Sequence, residues 1–330
     1  MALLKVENLC VDIPTAAGIL HAVRNVSFDI AAGETVCIVG ESGCGKSLTS
    51  LALMGLLPHK AKITAARMSF EEHDLIAMPI RERSRLSGRR MSMIFQEPMT
   101  SLNPALTIGE QLCEVHERHI TKGRDEARKR AIFLLDRVGI SGAASRLLQY
   151  PHELSGGLRQ RVMIAMALMC NPSFLVADEP TTALDVTIQA QVLRLLADLR
   201  KEFGLTLLLI THDLGLVSRI ADRVLVMYGG QVVEAGTARR ILTQSSHPYT
   251  RGLLDCLPTP IAVRGGQRLG TIPGRVPTLI GTLDGCSFRN RCSYTMPVCA
   301  QGEIDERSDS SGHAYRCLLE PGHLTRSRCA

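Results

Sequence analysis

The chain has 330 residues, 45% hydrophobic and 21% charged, with 38 Lys and Arg against 32 Asp and Glu for a net charge of +6. This excludes a disordered or low-complexity chain and leaves room for one large or two smaller domains whose core needs no disulfide. The absence of Trp and an aromatic content of 4% argue against a base-stacking platform, so no nucleic-acid partner is expected. No apolar stretch approaches the roughly 20 residues of a membrane span. The N-terminus Met-Ala-Leu-Leu-Lys-Val-Glu-Asn lacks the charged and apolar regions of a secretory signal. A cytoplasmic chain is therefore expected, with its 11 cysteines mostly reduced.

In chain order, Leu20, Ala22, Val26, Phe28 and Ile30 alternate, with a slip near Val23, as in an antiparallel strand. Gly33 turns the chain into Thr35–Val39, a short apolar run typical of a strand buried on both faces. A glycine-rich segment and a helix from Lys46 to about Leu56 follow. Residues 66–95 read as short strands and turns ending in the strand Met91–Phe95, and residues 97–170 are mostly helical, with an apolar stripe over Arg124–Val138. The strand–helix rhythm returns with strand Phe174–Ala177, helix Ile188–Phe203, strand Leu205–Ile210, helix Leu214–Ile220 and strands Val224–Met227 and Gln231–Glu234. This predicts an α/β domain over residues 1–244 with a mainly parallel sheet and a helical insertion near 97–165. From about residue 245, Pro and Gly interrupt any long element, and 245–330 reads as a small loop-rich second domain.

Gly40-Glu41-Ser42-Gly43-Cys44-Gly45-Lys46-Ser47 fits the P-loop pattern G-x-x-x-x-G-K-S/T between a buried strand and a helix. The glycines let successive N–H groups turn inward on phosphate oxygens, and the helix N-terminus adds positive potential. Lys46 is expected to reach the β- and γ-phosphates and the Ser47 hydroxyl to ligate Mg²⁺, with Leu48 completing the nucleotide contacts. Cys44 reads as a small filler, although an exposed thiolate there would make the loop oxidation-sensitive. Asp178 and Glu179 end the buried strand at Phe174. Asp178 is placed to hold Mg²⁺ through water and Glu179 to polarise an attacking water. Gln96 and His212 each follow a strand, at the edge where open α/β sheets bind ligands. Gln96 is suited to Mg²⁺ or the water, and His212 to the γ-phosphate.

Leu154-Ser155-Gly156-Gly157-Leu158 resembles the signature motif of ABC (ATP-binding cassette) ATPases, with Ser155 as a helix N-cap. The order also resembles that family: P-loop, glutamine loop at Gln96, signature, acidic strand, Ala183-Leu184-Asp185 and the switch histidine His212. The resemblance implies a cassette with an antiparallel β subdomain and a helical subdomain. It also implies a head-to-tail dimer in which Ser155, Gly156, Gly157 and Asp185 serve the ATP on the partner's P-loop. Two departures stand out: Leu158 replaces the usual Gln, and Pro14–Gly18 carries no aromatic to stack on adenine, leaving His21, a side chain from elsewhere, or loose base selectivity as the alternatives.

Phe95-Gln96-Glu97-Pro98-Met99-Thr100-Ser101-Leu102-Asn103-Pro104, Asp178-Glu179-Pro180-Thr181-Thr182 and His247-Pro248-Tyr249-Thr250 look like the bacterial dipeptide/oligopeptide importer ATPases. That resemblance implies two membrane permeases, contacted near residues 97–104, a second ATPase subunit in a heterodimer and a periplasmic peptide-binding protein. It places the chain at the cytoplasmic face of the inner membrane. An importer for another solute, such as nickel, stays open because the ATPase does not touch cargo; a soluble ABC ATPase acting on nucleic acid is the more distant alternative. Cys286, Cys292, Cys299 and Cys317 suggest a metal site in a core-poor segment. Their spacing alone leaves Zn²⁺ and an iron–sulfur cluster equally open, and the resemblance implies a 4Fe-4S cluster. Arg289 and Arg291 are candidates to offset thiolate charge, whereas Cys256 and Cys329 fall outside the set.

Overall fold

The computed structural model of the chain describes residues 2–97, 101–120, 123–182, 184–257, 270–281 and 284–320. Pro98–Thr100, Ala183 and Cys329 therefore lie outside the described residues. Two sheets form the frame. Strands β1 (Ala2–Thr15), β2 (Gly18–Ala31), β4 (Lys62–Thr64), β5 (Arg67–Phe70) and β6 (His73–Asp74) make an antiparallel sheet in which β1 pairs with β2, β4 and β5. β3 (Thr35–Val39), β7 (Met91–Ile94), β8 (Phe174–Asp178), β9 (Thr206–Thr211) and β10 (Arg223–Tyr228) form a parallel array in the order β10-β3-β9-β8-β7. β11 (Gln231–Thr237) joins it antiparallel to β10.

The central strands are apolar throughout because each face meets a different core. Cys37, Val39, Leu207, Leu209, Val224 and Val226 pack toward the helices. Their neighbours Val36, Ile38, Leu208, Ile210, Leu225 and Met227 pack toward the antiparallel sheet. The helical insertion comprises helices Ile108–His119, Arg124–Arg137, Ala143–Arg146 and Gly156–Ala167.

Several elements differ from the sequence reading. The slip near Val23 is a break of register between β1 and β2, and it buries both Ala22 and Val23. The same irregularity hid β1: its register shifts between Val6 and Leu9, with Asn8 at φ 52°, so its apolar alternation is interrupted. A helix, Ile80–Leu86, stands where strands and turns were expected, and none of its residues is buried, so no apolar stripe marked it. A helix also spans Pro248–Asp255 within the proline-rich stretch. Pro248 sits in its first turn, where the missing N–H is harmless, and His247 caps it by accepting from Tyr249 N.

The segment after this helix lies against the cassette sheet. β13 (Ala314–Tyr315) pairs antiparallel with β11, placing Tyr315 opposite Glu234, and β12 (Arg307–Ser308) pairs with β13. Glu234 is buried and accepts from the backbone N–H groups of Ser246 (2.6 Å) and His247 (3.1 Å); its Oε1 lies 2.8 Å from His313 Nε2. Burial pushes the His247 imidazole down to about 4, so it stays neutral and free to act as a cap acceptor. Glu234→Ala would strand these donors in a dry site and is expected to destabilise the protein by about 3 kcal/mol. Glu234→Gln, which keeps one carbonyl acceptor, should lose less; denaturant unfolding of both variants checks the order.

Candidate active site

β3 delivers the P-loop to the middle of the parallel array, and helix α1 (Lys46–Met54) leaves from it. Two glycines are forced by neighbouring backbone: a Cβ would lie 2.2 Å from the Met227 carbonyl oxygen at Gly40 and 2.4 Å from that of Ala22 at Gly45. Gly45 also holds φ +100°, open to glycine at little strain. No side chain caps α1, so its first N–H groups remain directed at the loop. The Lys46 ammonium is buried and donates to the carbonyls of Gly40 (2.9 Å) and Glu41 (3.0 Å).

Ser47 Oγ donates to Asp178 Oδ1 at 3.0 Å, across from β3 to the end of β8. Burial holds the Asp178 carboxyl above its ordinary range, against the Ser47 hydrogen bond. Glu179 follows at φ 44°, a left-handed conformation that costs an L-residue roughly 1–3 kcal/mol; its N–H donates to Ile210 O on β9 at 2.9 Å. Its carboxylate collects Gln96 Nε2 (3.1 Å), Thr182 Oγ1 (2.9 Å) and His212 Nδ1 (3.4 Å), with Lys46 Nζ at 4.0 Å. The His212 hydrogen bond leads the causes that bring Glu179 down to about 2, and the same bond raises His212. Thr182 lies in the stretch that resembles the importer ATPases, but a hydroxyl three residues after an acidic residue carries no pattern that assigns it this contact.

One open cavity is lined by Ser42, Gly43, Gly45, Lys46, Ser47 and Leu48, with Gln96 and Glu179 also in its wall. The expected P-loop, acidic-strand, glutamine and histidine residues thus converge at or beside it. Ser155, Gly156, Gly157 and Asp185 do not line this cavity. Ser155 caps the helix Gly156–Ala167 by accepting from Leu158 N, and Asp185 caps the helix Val186–Phe203 by accepting from Ile188 N. Cys44 is fully buried and burial raises its thiol, so the exposed thiolate considered above is not present.

The P-loop is held from behind by the C-terminal segment. Tyr249 Oη accepts from Glu41 N at 2.8 Å. Arg291 pairs with both Glu41 oxygens (2.6 and 3.0 Å) and donates to Tyr228 Oη, Pro273 O and Ile272 O. Its side chain is 4% exposed, so it is no solvated arginine. Arg289, by contrast, donates to the carbonyls of Asp284 and Cys286 in its own segment.

Cys286, Cys292, Cys299 and Cys317 all line one small pocket beside Phe288 and Met296. No three His, Cys, Asp or Glu side chains among the described residues converge to hold a single metal ion. The donor set is four thiols around a largely apolar space, a composition that fits either a zinc ion or an iron–sulfur cluster. Burial raises Cys286, Cys292 and Cys317, the last to about 11.

A family profile described as ABC transporter matches residues 23–182, and one described as Oligopeptide/dipeptide transporter, C-terminal region, matches residues 233–299. The Bacillus subtilis dipeptide transport ATP-binding protein DppD is 48% identical over 96% of this chain and 94% of its own length. The Escherichia coli oligopeptide transport ATP-binding protein OppD is 48% identical over 91% of this chain and 88% of its own length. The solved dimer of the ATP-binding cassette MJ0796, in a post-hydrolysis state with ADP and Pi, superposes with a TM-score of 0.64 at 28% identity, covering 72% of this chain and 99% of that one. The fold and site are those of an ABC ATPase. Within that class, the chain belongs to the family of dipeptide/oligopeptide transport ATP-binding proteins.

Two predictions follow from the geometry. Arg291→Met is expected to destabilise the protein by about 2 kcal/mol, below the limit for a fully buried pair because Glu41 is 31% exposed and recovers solvent. It should also weaken MgATP binding by calorimetry, whereas Arg289→Met should leave that affinity unchanged. The His212–Glu179 contact has a defined pH window. Its His212 side is fully present below the ordinary value of 6.5 and is lost as pH rises through the raised value. Its Glu179 side is fully present above 4.5 and is lost as pH falls through about 2. An NMR titration of His212 in nucleotide-free protein should give a midpoint above 6.5, and Glu179→Gln should move it back down.

Proposed function

We propose that this chain binds and hydrolyses MgATP and couples that cycle, through membrane permease partners, to uptake of dipeptides or oligopeptides. The carrying observation is that Lys46, Ser47, Gln96 and Glu179 line one cavity, with Asp178 bonded to Ser47 and His212 to Glu179. Lys46 neutralises the β- and γ-phosphates. Ser47, Asp178 and Gln96 are the oxygen ligands for Mg²⁺, directly or through water. Glu179 polarises the attacking water. Catalysis is then mainly positioning and charge stabilisation at the transferred phosphoryl group.

Gln96 and His212, which hydrogen-bond Glu179, are also the side chains expected to contact Mg²⁺ and the γ-phosphate, so they link the base to the nucleotide. The strained φ of Glu179 fits a carboxylate held for chemistry.

The other half of the site comes from a second cassette. Gly156 lies within a helix, and a Cβ there would meet only Leu184 Cδ2 at 3.9 Å, an ordinary contact. Nothing within the described chain demands glycine, although it weakens a helix by about 1 kcal/mol relative to Ala. Close approach of a partner's ATP to the Ser155–Gly157 turn accounts for it, with Asp185 at the same interface. We assign the partner as a second, homologous ATPase subunit, residues 1–244 as the cassette, and 245–330 as the extension seated on it. No helix among the described residues is long and apolar enough to cross a membrane. The likeness to peptide transport ATP-binding proteins supports a peripheral subunit at the cytoplasmic face of the inner membrane, served by a periplasmic peptide-binding protein through the permeases. Residues 97–104 form the expected permease contact.

For the cysteines, the shared cavity and the four-thiol donor set support a 4Fe-4S cluster, which when bound would supply covalent cross-links to a segment with little core of its own. The four cysteines would hold it and Phe288 would shield it.

Glu179→Gln should retain ATP binding while steady-state hydrolysis falls by roughly 100-fold or more; near-normal turnover would sink Glu179 as the base. Gly156→Asp in one subunit of the purified ATPase pair should impair hydrolysis at the partner's P-loop. Anaerobic purification with iron, zinc and acid-labile sulfide analysis separates about four irons and four sulfides per chain from a single zinc without sulfide. Uptake of labelled peptides against nickel by a deletion strain identifies the cargo class.

A further inference from the structure

The cavity at the P-loop has a further wall. Besides the P-loop, Gln96 and Glu179, the cavity is lined by Leu20 and Ala22 of β2 and by the segment Val276, Pro277, Thr278 and Leu279. We propose that the base of the bound nucleotide rests on an aliphatic shelf formed by Val276, Pro277 and Leu279 with Leu20, so that the C-terminal segment completes the ATP site. The proposal rests on the reading of this cavity as the ATP site and extends it to the base.

The polarity of the cavity carries the argument. Lys46, Ser47, Gln96 and Glu179 fix where the terminal phosphate goes. The triphosphate runs along the P-loop, so the ribose and base emerge away from those side chains, and the lining left for them is residues 276–279 with Leu20 and Ala22. The turn Pro14–Gly18 is exposed and lies outside that wall. His21, the side chain available locally, also lies outside it, with Nδ1 2.7 Å from Asp12 Oδ1.

The shelf is built in advance. The chain bridges antiparallel to β2 at Leu20 and Ile280, and His21 N donates to Leu279 O at 2.8 Å. Leu279 is 3% exposed. At the other end of the segment, Arg291 holds the carbonyls of Ile272 and Pro273. A segment tied at both ends loses little freedom when a ligand lands on it. Chemically, three aliphatic side chains and a proline ring offer a flat purine dispersion and area burial. They do the work otherwise done by a stacked aromatic ring, which explains how the chain binds a base without one beside β2.

The test uses the full chain and two probes, MgATP and inorganic tripolyphosphate, which has the phosphates and no base. Pro277→Ser and Leu20→Ser are each expected to lower ATP affinity by roughly tenfold, the scale of a lost apolar contact in a binding pocket, and to leave tripolyphosphate affinity unchanged. Pro277→Tyr, which adds a stacking surface, is expected to tighten ATP severalfold, again without effect on tripolyphosphate; a gain of this kind cannot come from misfolding. Unchanged ATP affinity in both serine variants would overturn the proposal. So would parallel loss of ATP and tripolyphosphate, the mark of a displaced P-loop. If the unsubstituted chain binds neither probe, the ATP-site reading itself fails and the proposal with it.

Discussion

The ion pair between Arg291 and Glu41 is the interaction on which the nucleotide end of the molecule depends. A phosphate-binding loop must keep its N–H groups pointing at an empty space, a conformation with few contacts of its own. Here Glu41, the second residue of that loop, is gripped on both carboxylate oxygens by a guanidinium buried under Tyr228 and Phe288. Its N–H is taken by Tyr249. The same guanidinium holds the backbone at 272 and 273, which leads directly into the wall of the nucleotide cavity. One side chain therefore ties three things together: the loop that takes phosphates, the segment beside the base end, and the short helix Arg289–Arg291 that runs into Cys292. The planar fork makes this possible, since a lysine offers no such set of directed donors.

The chemistry was more legible in the sequence than its support. Gly40, Lys46, Ser47, Asp178, Glu179, Gln96 and His212 are marked by strand ends and fixed spacings, because phosphate, metal and water impose distances that short segments must satisfy. The support obeys no local rule. Arg289 and Arg291 look alike in the sequence, yet one bonds its own segment and the other reaches a loop 250 residues away. Tyr249 could be recognised as part of a family mark, while its hydroxyl's partner lies 208 residues back. The strand β1 was hidden by its own irregular register, and the helix Pro248–Asp255 by prolines that break elements elsewhere but open this one. In each case tertiary context overrode a local pattern that was read correctly as local.

Within one chain the two phosphate-binding features are unequal. The P-loop is braced from behind, with only its tip at Ser42 and Gly43 exposed. The turn at Ser155–Gly157 is capped and otherwise open, with glycines that no neighbour among the described residues requires. That asymmetry fits a site whose halves are completed by different chains: the part that must hold nucleotide through the cycle is rigid, and the part that engages and leaves is exposed. Glu179 stands between, strained and held by donors that have other uses, as expected of a group whose state must change when the halves meet.

The extreme separation of Glu41 from Arg291 also bears on how the protein is made. Synthesis proceeds from the N-terminus, so β3 and the loop after it leave the ribosome long before residues 272–291 exist. Until they arrive, Glu41 lacks its arginine, the Glu41 N–H awaits Tyr249, and β2 presents Leu20 and His21 as an unpaired edge. An early cassette would therefore be compact but unfinished at its phosphate loop, and nucleotide competence would come with the last third of the chain. Late closure of this kind makes the finished ATP site a report that the chain has been made and folded as far as Arg291.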